Sequence, residues 1–201
     1  MTDTAIIAPN DKLTTSQAAR RERVLRAALD LGSTGGYDAV QMRDVATSAG
    51  VALGTIYRYF SSKDHLLAAA MVEWTLDLER RVGQRPPKGD TTTERVSDVL
   101  RRATRAMEKE PKLSEAVVTA LLSPDRGAAA CQEDVSASMN RIMSMALGDD
   151  FDPEFKLNAT RTLGHVWFSA LIGWVNGWSG MEKVADELEV ATHLVLDHHA
   201  S

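Results

Sequence analysis

The chain has 201 residues, of which 44% are hydrophobic, enough to bury the core of one large or two small domains. Its start lacks the features of a secretory signal, and no stretch approaches the roughly 18 uninterrupted apolar residues of a membrane span. A single cysteine, Cys131, excludes an internal disulfide and a cysteine-based metal site. These features predict a cytoplasmic protein without cofactor or metal.

The net charge of −5 is divided unevenly along the chain. Residues 1–63 hold eight Lys and Arg against six Asp and Glu, giving +2, whereas residues 64–201 hold 15 against 22, giving −7. Only the first portion can attract a phosphate backbone. The cations available there are Arg20, Arg21, Arg23, Arg26, Arg43, Arg58 and Lys63. For the first four, a solvated helix face is the alternative.

The first predicted helix begins at Thr14, whose hydroxyl can cap the helix while Gln17 reaches back to it. Val24, Leu25, Ala28, Leu29 and Leu31 supply its apolar positions, and the helix is expected to end at Gly35 and Gly36. Two short helices follow, beginning near Gln41 and Ala52 and separated by Gly50, which suits a left-handed C′ position. This order predicts a helix-turn-helix.

A fourth helix is predicted to begin after Ser61, with Asp64 as a capping carboxylate, and to extend to about Val82. Residues 83–93 contain two prolines and no apolar side chain, which indicates a loop or domain boundary. Every later periodic segment is helical: 96–107, 113–122, 135–147, 155–178 and 181–196. No alternating strand pattern occurs, so the predicted fold is all-α.

The stretch TGGYDAVQMRDVATSAGVALGTIYRYFSSKDHLL, residues 34–67, resembles the DNA-binding domain of the TetR family of bacterial regulators. Two further stretches, AMEKEPKLSEAV at 106–117 and HVWFSALIGWV at 165–175, are similar to the KstR group of sterol-catabolism repressors. Gln41 stands where the wider family prefers Ser or Thr as a helix cap. The resemblance implies a flexible tail at 1–13, a helix-turn-helix domain at 14–63 and a ligand-binding and dimerisation bundle at 64–201.

Matching to the family motif implies nine DNA-contacting residues: Arg43, Ala52, Leu53, Gly54, Thr55, Tyr57, Arg58, Tyr59 and Lys63. Small residues in the first turn of a recognition helix let the backbone approach the major groove. Leu53 and Thr55 would face bases, and Arg43 a base or a phosphate. The tyrosine hydroxyls and the lysine would face phosphates, although each tyrosine could instead be a core aromatic. Arg58 has no assigned role.

One chain supplies one recognition helix, and two must lie about 34 Å apart to reach successive major-groove turns. A homodimer is therefore required. The resemblance places its interface on the last two long helices, where the candidate residues are Val166, Ala170, Gly173, Leu188 and Leu194.

The resemblance also implies an apolar effector cavity in the C-terminal bundle, with Trp74, Met107, Met139, Met143, Trp167, Leu171 and Trp174 as candidate lining residues. Ordinary core positions are the alternative for each of them. The KstR resemblance implies that the effector is a CoA thioester of a sterol-derived acid. Binding is expected to tilt the fourth helix, change the separation of the recognition helices and release the operator.

Three other functions remain open from the sequence. The chain could regulate another pathway, such as fatty acid metabolism or efflux, and activation is not distinguished from repression. It could also be a helical lipid or acyl carrier that does not bind DNA. An enzyme is not expected, because His65, His165, His193, His198 and His199 show no catalytic or metal-binding motif.

Overall fold

In the computed structural model, which describes residues 13–149 and 151–197, every regular element is an α-helix. The helices of these residues are α1 (Thr15–Ala39), α2 (Met42–Ala49), α3 (Leu53–Tyr59), α4 (Lys63–Gln84), α5 (Thr92–Glu108), α6 (Pro111–Leu121), α7 (Arg126–Leu147), α8 (Pro153–Val175) and α9 (Met181–Leu196). The predicted all-α fold is confirmed. Residues 1–12 of the predicted tail, together with His198 and His199, lie outside the described residues.

The predicted start of α1 is confirmed in detail. Thr14 is the N-cap: its Oγ accepts the N–H of Gln17, and the Gln17 side chain accepts the N–H of Thr14 at 2.8 Å. The predicted end is partly right. Gly36 leaves helical geometry with φ +70°, and helical turns then resume as far as Ala39.

The turn after α2 also follows the prediction. Gly50 adopts φ +62° and ψ +43°, a left-handed conformation that costs little only without a Cβ. At the other end of α2, Gln41 makes no side-chain capping bond, and its Nε2 donates to the carbonyl of Asp38 at 2.9 Å. The departure from Ser or Thr therefore leaves α2 without a side-chain cap.

The structure corrects the capping residue of α4 and the start of α7. Asp64 does not serve as the predicted cap of α4, because its carboxylate accepts the hydroxyl of Tyr37 at 2.5 Å. Ser62 caps instead, its Oγ accepting the N–H of His65 at 3.0 Å. The seventh helix begins at Arg126, well before the predicted start at residue 135, because Asp125 caps a first turn whose apolar residues are small alanines.

The contacts group the described chain into two compact units. The first comprises residues up to 73 together with 110–133. In it α1 packs against α2, α3 and α6. Its core side chains include Val24, Ala28, Val45, Ile56, Phe60, Leu66 and Leu67. These contacts hold α2 and α3, which are too short to be stable in isolation.

The second unit comprises residues 74–109 and the described residues from 134 onward. In it α9 packs against α5 and α8. Arg141 makes a two-pronged ion pair with Glu79, at 2.7 and 2.9 Å. The bond from Arg141, opposed by burial and assisted by Ser138, lowers the pKa of Glu79. No helix in the described part of the chain is long and apolar enough to cross a bilayer.

Candidate DNA-binding surface

The two faces of α3 differ sharply in exposure. Ile56 and Phe60 point into the core of the first unit and are fully buried. The opposite side carries predicted DNA-contacting residues: Ala52, Gly54, Tyr57 and Arg58 are exposed, and Leu53 and Thr55 are half-buried. Seven of the nine predicted residues thus lie on α3 and its N-cap, and six of these are at least partly exposed.

The first turn of α3 is open to close approach. A Cβ built on Gly54 would meet no atom within 4 Å, so packing does not explain the absence of a side chain there. Ala52, the N-cap, adds only a methyl group and makes no side-chain capping bond. A helix with such a first turn can bring its backbone against a groove floor.

The predicted cations differ in how far they are neutralised. Arg21 pairs with Glu73 at 3.1 Å and lies over the Phe60 ring, and Arg26 pairs with Glu22 at 2.7 Å. By contrast, Arg43 and Arg58 are exposed, and no carboxylate of residues 13–149 or 151–197 lies within ion-pair distance of either. These two guanidinium groups can therefore meet phosphates without first breaking an ion pair.

Lys63 lies against the last turn of α1. Its Nζ donates to the carbonyl of Tyr37 at 3.3 Å and sits 3.6 Å from the centre of that ring. Burial, together with the hydrogen bond and charge of Asp64, raises the pKa of Tyr37 to about 12. The tyrosine hydroxyl is therefore a fixed donor at neutral pH, and Lys63 would have to leave its present contacts to reach DNA.

The two predicted phosphate-binding tyrosines have different environments. Tyr57 is 47% exposed, whereas Tyr59 is only 5% exposed. The buried Tyr59 hydroxyl has no hydrogen-bond partner in the described part of the structure. The Arg58 guanidinium covers its ring at 5.6 Å. In this conformation Tyr59 is a core aromatic, the alternative noted from the sequence, and its hydroxyl cannot reach a phosphate.

The candidate effector residues all belong to the second unit. Met107, Met143, Trp167 and Leu171 are buried, and Trp74, Met139 and Trp174 are half-buried. A crevice does lie between α5 and α9, with Leu100, Thr104 and Leu188 in its wall, but it has room for about one water molecule. None of the candidate effector residues lines this crevice, so it does not place an effector among them.

The candidate interface residues also differ in how far they are exposed. Leu194 is 68% exposed, as an interface residue should be, and Val166 and Gly173 are half-buried. Ala170 and Leu188 are buried within the chain, so they support the bundle and are not free to meet a partner. Val190, which was not among the predicted residues, is 59% exposed one helical turn before Leu194 and is a further candidate. Its spacing from Leu194 was the available signal.

An outward recognition helix with an open first turn, held on a buried helix-turn-helix core, defines a DNA-binding regulator of the helix-turn-helix class. Residues 24–70 match the family model described as bacterial regulatory proteins, tetR family. Residues 89–195 match the tetracyclin repressor-like C-terminal domain. The chain belongs to the TetR family.

Individual relatives refine this assignment. The chain is 40% identical to the HTH-type transcriptional repressor KstR of Rhodococcus jostii (strain RHA1), over 96% of this chain and 90% of that protein. The crystal structure of a TetR transcriptional regulator from Rhodococcus sp. RHA1 has a TM-score of 0.82 at 31% identity, covering 92% of this chain and all of that one. The chain is thus a TetR-family transcriptional repressor related to KstR.

A more distant structure shares the fold. Thermus thermophilus FadR, a TetR-family repressor solved in complex with lauroyl-CoA, has a TM-score of 0.69 at 24% identity, covering 90% of this chain and 95% of that one.

Proposed function

We propose that a homodimer of this chain binds a palindromic operator through α3 in the cytoplasm and represses genes of sterol or lipid catabolism. A hydrophobic effector, a CoA thioester of a sterol-derived acid, releases it. The outward face of α3 carries the DNA part of this proposal. It combines the open turn at Gly54 with the exposed Tyr57 and Arg58. Arg43, on α2, adds a second exposed guanidinium, and neither arginine has an ion-pair partner among the described residues.

Selection from a random-sequence duplex library, followed by titration of the recovered duplex with salt, tests the DNA part. We expect two half-sites separated by about one helical turn, and an affinity that falls linearly with salt on logarithmic axes. A helical lipid carrier would select no duplex sequence from the library, and it would show no salt-dependent affinity for DNA. That result would refute the proposal.

The effector part of the proposal concerns residues of the second unit. Its candidate residues are largely apolar and include three methionines that can adapt to a bulky ligand, Met107, Met139 and Met143. The related fold of Thermus thermophilus FadR accommodates lauroyl-CoA, which supports a CoA thioester as the ligand class. The KstR relationship favours a steroid over a linear acyl chain. Comparing choloyl-CoA with lauroyl-CoA and free CoA, by operator release, distinguishes these ligands.

Trp167 offers a polar contact for this effector. Its ring is buried, and its Nε1–H finds no acceptor in the described residues. An unsatisfied buried donor costs about 1–3 kcal/mol, which a ligand carbonyl would recover. We expect Trp167→Phe to raise the choloyl-CoA concentration needed for half release of the operator by about tenfold.

The exposed Trp178 provides the matched control, because Trp178→Phe removes an indole N–H already in contact with solvent. We expect that variant to respond to choloyl-CoA as the unmodified protein does. Denaturant unfolding should show that Trp167→Phe changes stability by less than about 2 kcal/mol, since the lost donor and the small void act in opposite directions. Equal release of all three proteins would show that Trp167 does not contact the effector.

A further inference from the structure

A cluster of polar groups joins the residues after α3 to the start of α7 within the first unit. The N–H of Ser61 donates to Nδ1 of His65 at 3.1 Å. The Ser61 hydroxyl lies 3.1 Å from the same Nδ1 and also 3.3 Å from the Asp125 carboxylate. Because a backbone N–H can only donate, Nδ1 carries a lone pair and the proton of the neutral imidazole resides on Nε2.

The cluster is closely packed against the first turn of α7. Asp125 accepts the N–H groups of Gly127 and Ala128 at 2.8 and 3.0 Å, which caps the helix. The His65 ring lies against Gly127 so closely that a Cβ there would be 2.4 Å from Nδ1. The same ring meets the edge of Phe60 with centroids 5.4 Å apart. Phe60 is the C-cap of α3.

We propose that His65 is a positioning residue for operator binding, which places the end of α3 by packing between Phe60 and the first turn of α7 at Gly127. This proposal rests on the proposed operator binding. A helix as short as α3 takes its position from tertiary contacts, so a small shift of Phe60 moves the whole recognition helix. Since reading bases requires side chains within hydrogen-bond reach of the groove, such a shift weakens operator binding.

The charges around His65 give the contact a pH dependence. Burial lowers the pKa of His65, the Asp125 carboxylate opposes this effect, and the Arg21 guanidinium on α1 adds to it. Burial alone would raise the pKa of Asp125, but hydrogen bonds from Ala128, Ser62, Gly127 and Ser61 hold it below its usual value, so this carboxylate stays charged.

The sign of the pH effect follows from the neutral ring. A folded pKa below the unfolded value of about 6.5 means that the stabilisation is complete above that pH and is lost as the pH falls towards the folded pKa. Protonation of Nδ1 would also set an N–H against the N–H of Ser61. We therefore expect operator affinity to decline as acidification protonates His65 in the folded protein, which its lowered pKa shifts to a pH below about 6.5.

Gly127→Ala tests the proposal, because the added Cβ displaces the His65 ring from its contact with α7. The overlap opposes the gain of about 0.5–1 kcal/mol that alanine brings over glycine within a helix. If the contact only stabilises the fold, the variant loses stability while the folded protein binds the operator with unchanged affinity. The proposal predicts at least about tenfold weaker binding of the selected operator duplex. Gly83→Ala, at an exposed site in α4 with open space around it, should bind as the unmodified protein does.

Two further variants complete the test. His65→Ala should weaken operator binding, and it should remove the decline on acidification. The double variant His65→Ala with Gly127→Ala should bind no worse than His65→Ala alone, because the overlap no longer exists. His65→Ala creates no overlap, so it tests the contact even if Gly127→Ala fails to fold.

Specific outcomes overturn the proposal. Unchanged affinity in His65→Ala, additive losses in the double variant, or an acid decline that persists without the imidazole would each do so. If the unmodified protein bound no duplex, the proposed function would fail as well. Binding by the unmodified protein with no effect of these substitutions would refute only the positioning role.

Discussion

Gly54→Gln is expected to abolish sequence-specific operator binding while the protein remains folded. The glycine is exposed in the first turn of α3, and a Cβ there meets no protein atom within 4 Å. A glutamine side chain therefore costs nothing in the free protein, and it improves helix propensity by roughly 0.5–1 kcal/mol. In the complex, the same side chain occupies the space through which the backbone approaches the groove.

The expected loss is large because specific complexes are typically about 10³ to 10⁷ times tighter than non-specific ones, and a misplaced recognition helix forfeits that difference. We expect at least about a hundredfold weaker binding of the selected duplex. Gly83→Gln is the matched control: this glycine is also exposed, lies in α4 and has no neighbour within 4 Å of a built Cβ. Thermal unfolding verifies that both variants fold. Operator binding that survives Gly54→Gln would remove α3 from the proposed DNA contact.

Leu194→Glu is expected to convert the dimer into monomers. Leu194 is 68% exposed on α9, one turn after Val190, which is 59% exposed. Together they form an apolar strip on the side of α9 opposite Leu188, which packs inward. If this strip meets its copy across a two-fold axis, each glutamate becomes a buried charge without a partner, at a cost of several kcal/mol.

We expect the dimer dissociation constant to rise at least about a hundredfold, as measured by analytical ultracentrifugation, with a parallel loss of operator binding. Leu76→Glu serves as the control, since Leu76 is also an exposed leucine, in the middle of α4. It should leave the dimer intact. A Leu194→Glu protein that stayed dimeric would show that the interface does not include the outer face of α9.

The candidate DNA surface could be predicted largely from sequence because its determinants are local. The capping box of Thr14 and Gln17 and the left-handed turn at Gly50 depend on residues a few positions apart. Ile56 and Phe60, four residues apart, had to share the buried face of α3. With one face committed to the core, the residues left outside form the candidate DNA surface.

The surroundings of individual polar groups were not predictable in this way. Asp64 has the spacing of a helix cap, yet its partner is Tyr37, which lies 27 positions earlier. Tyr59 and Tyr57 are two residues apart in one helix, and only the packing of the first unit shows that the former is buried and the latter exposed. Each of these outcomes depends on which distant side chain occupies the neighbouring space.

By itself, the sequence determined the helical class, most helix limits and the outward face of α3, because hydrophobic periodicity and capping act within a few residues. Tertiary structure alone decided that Leu188 faces inward while Leu194 faces solvent. It also brought the His65 ring against Gly127, although the two residues are 62 positions apart in the chain. Such contacts depend on how helices stack and how closely their backbones approach, and neither quantity is encoded in the spacing of residues along one helix.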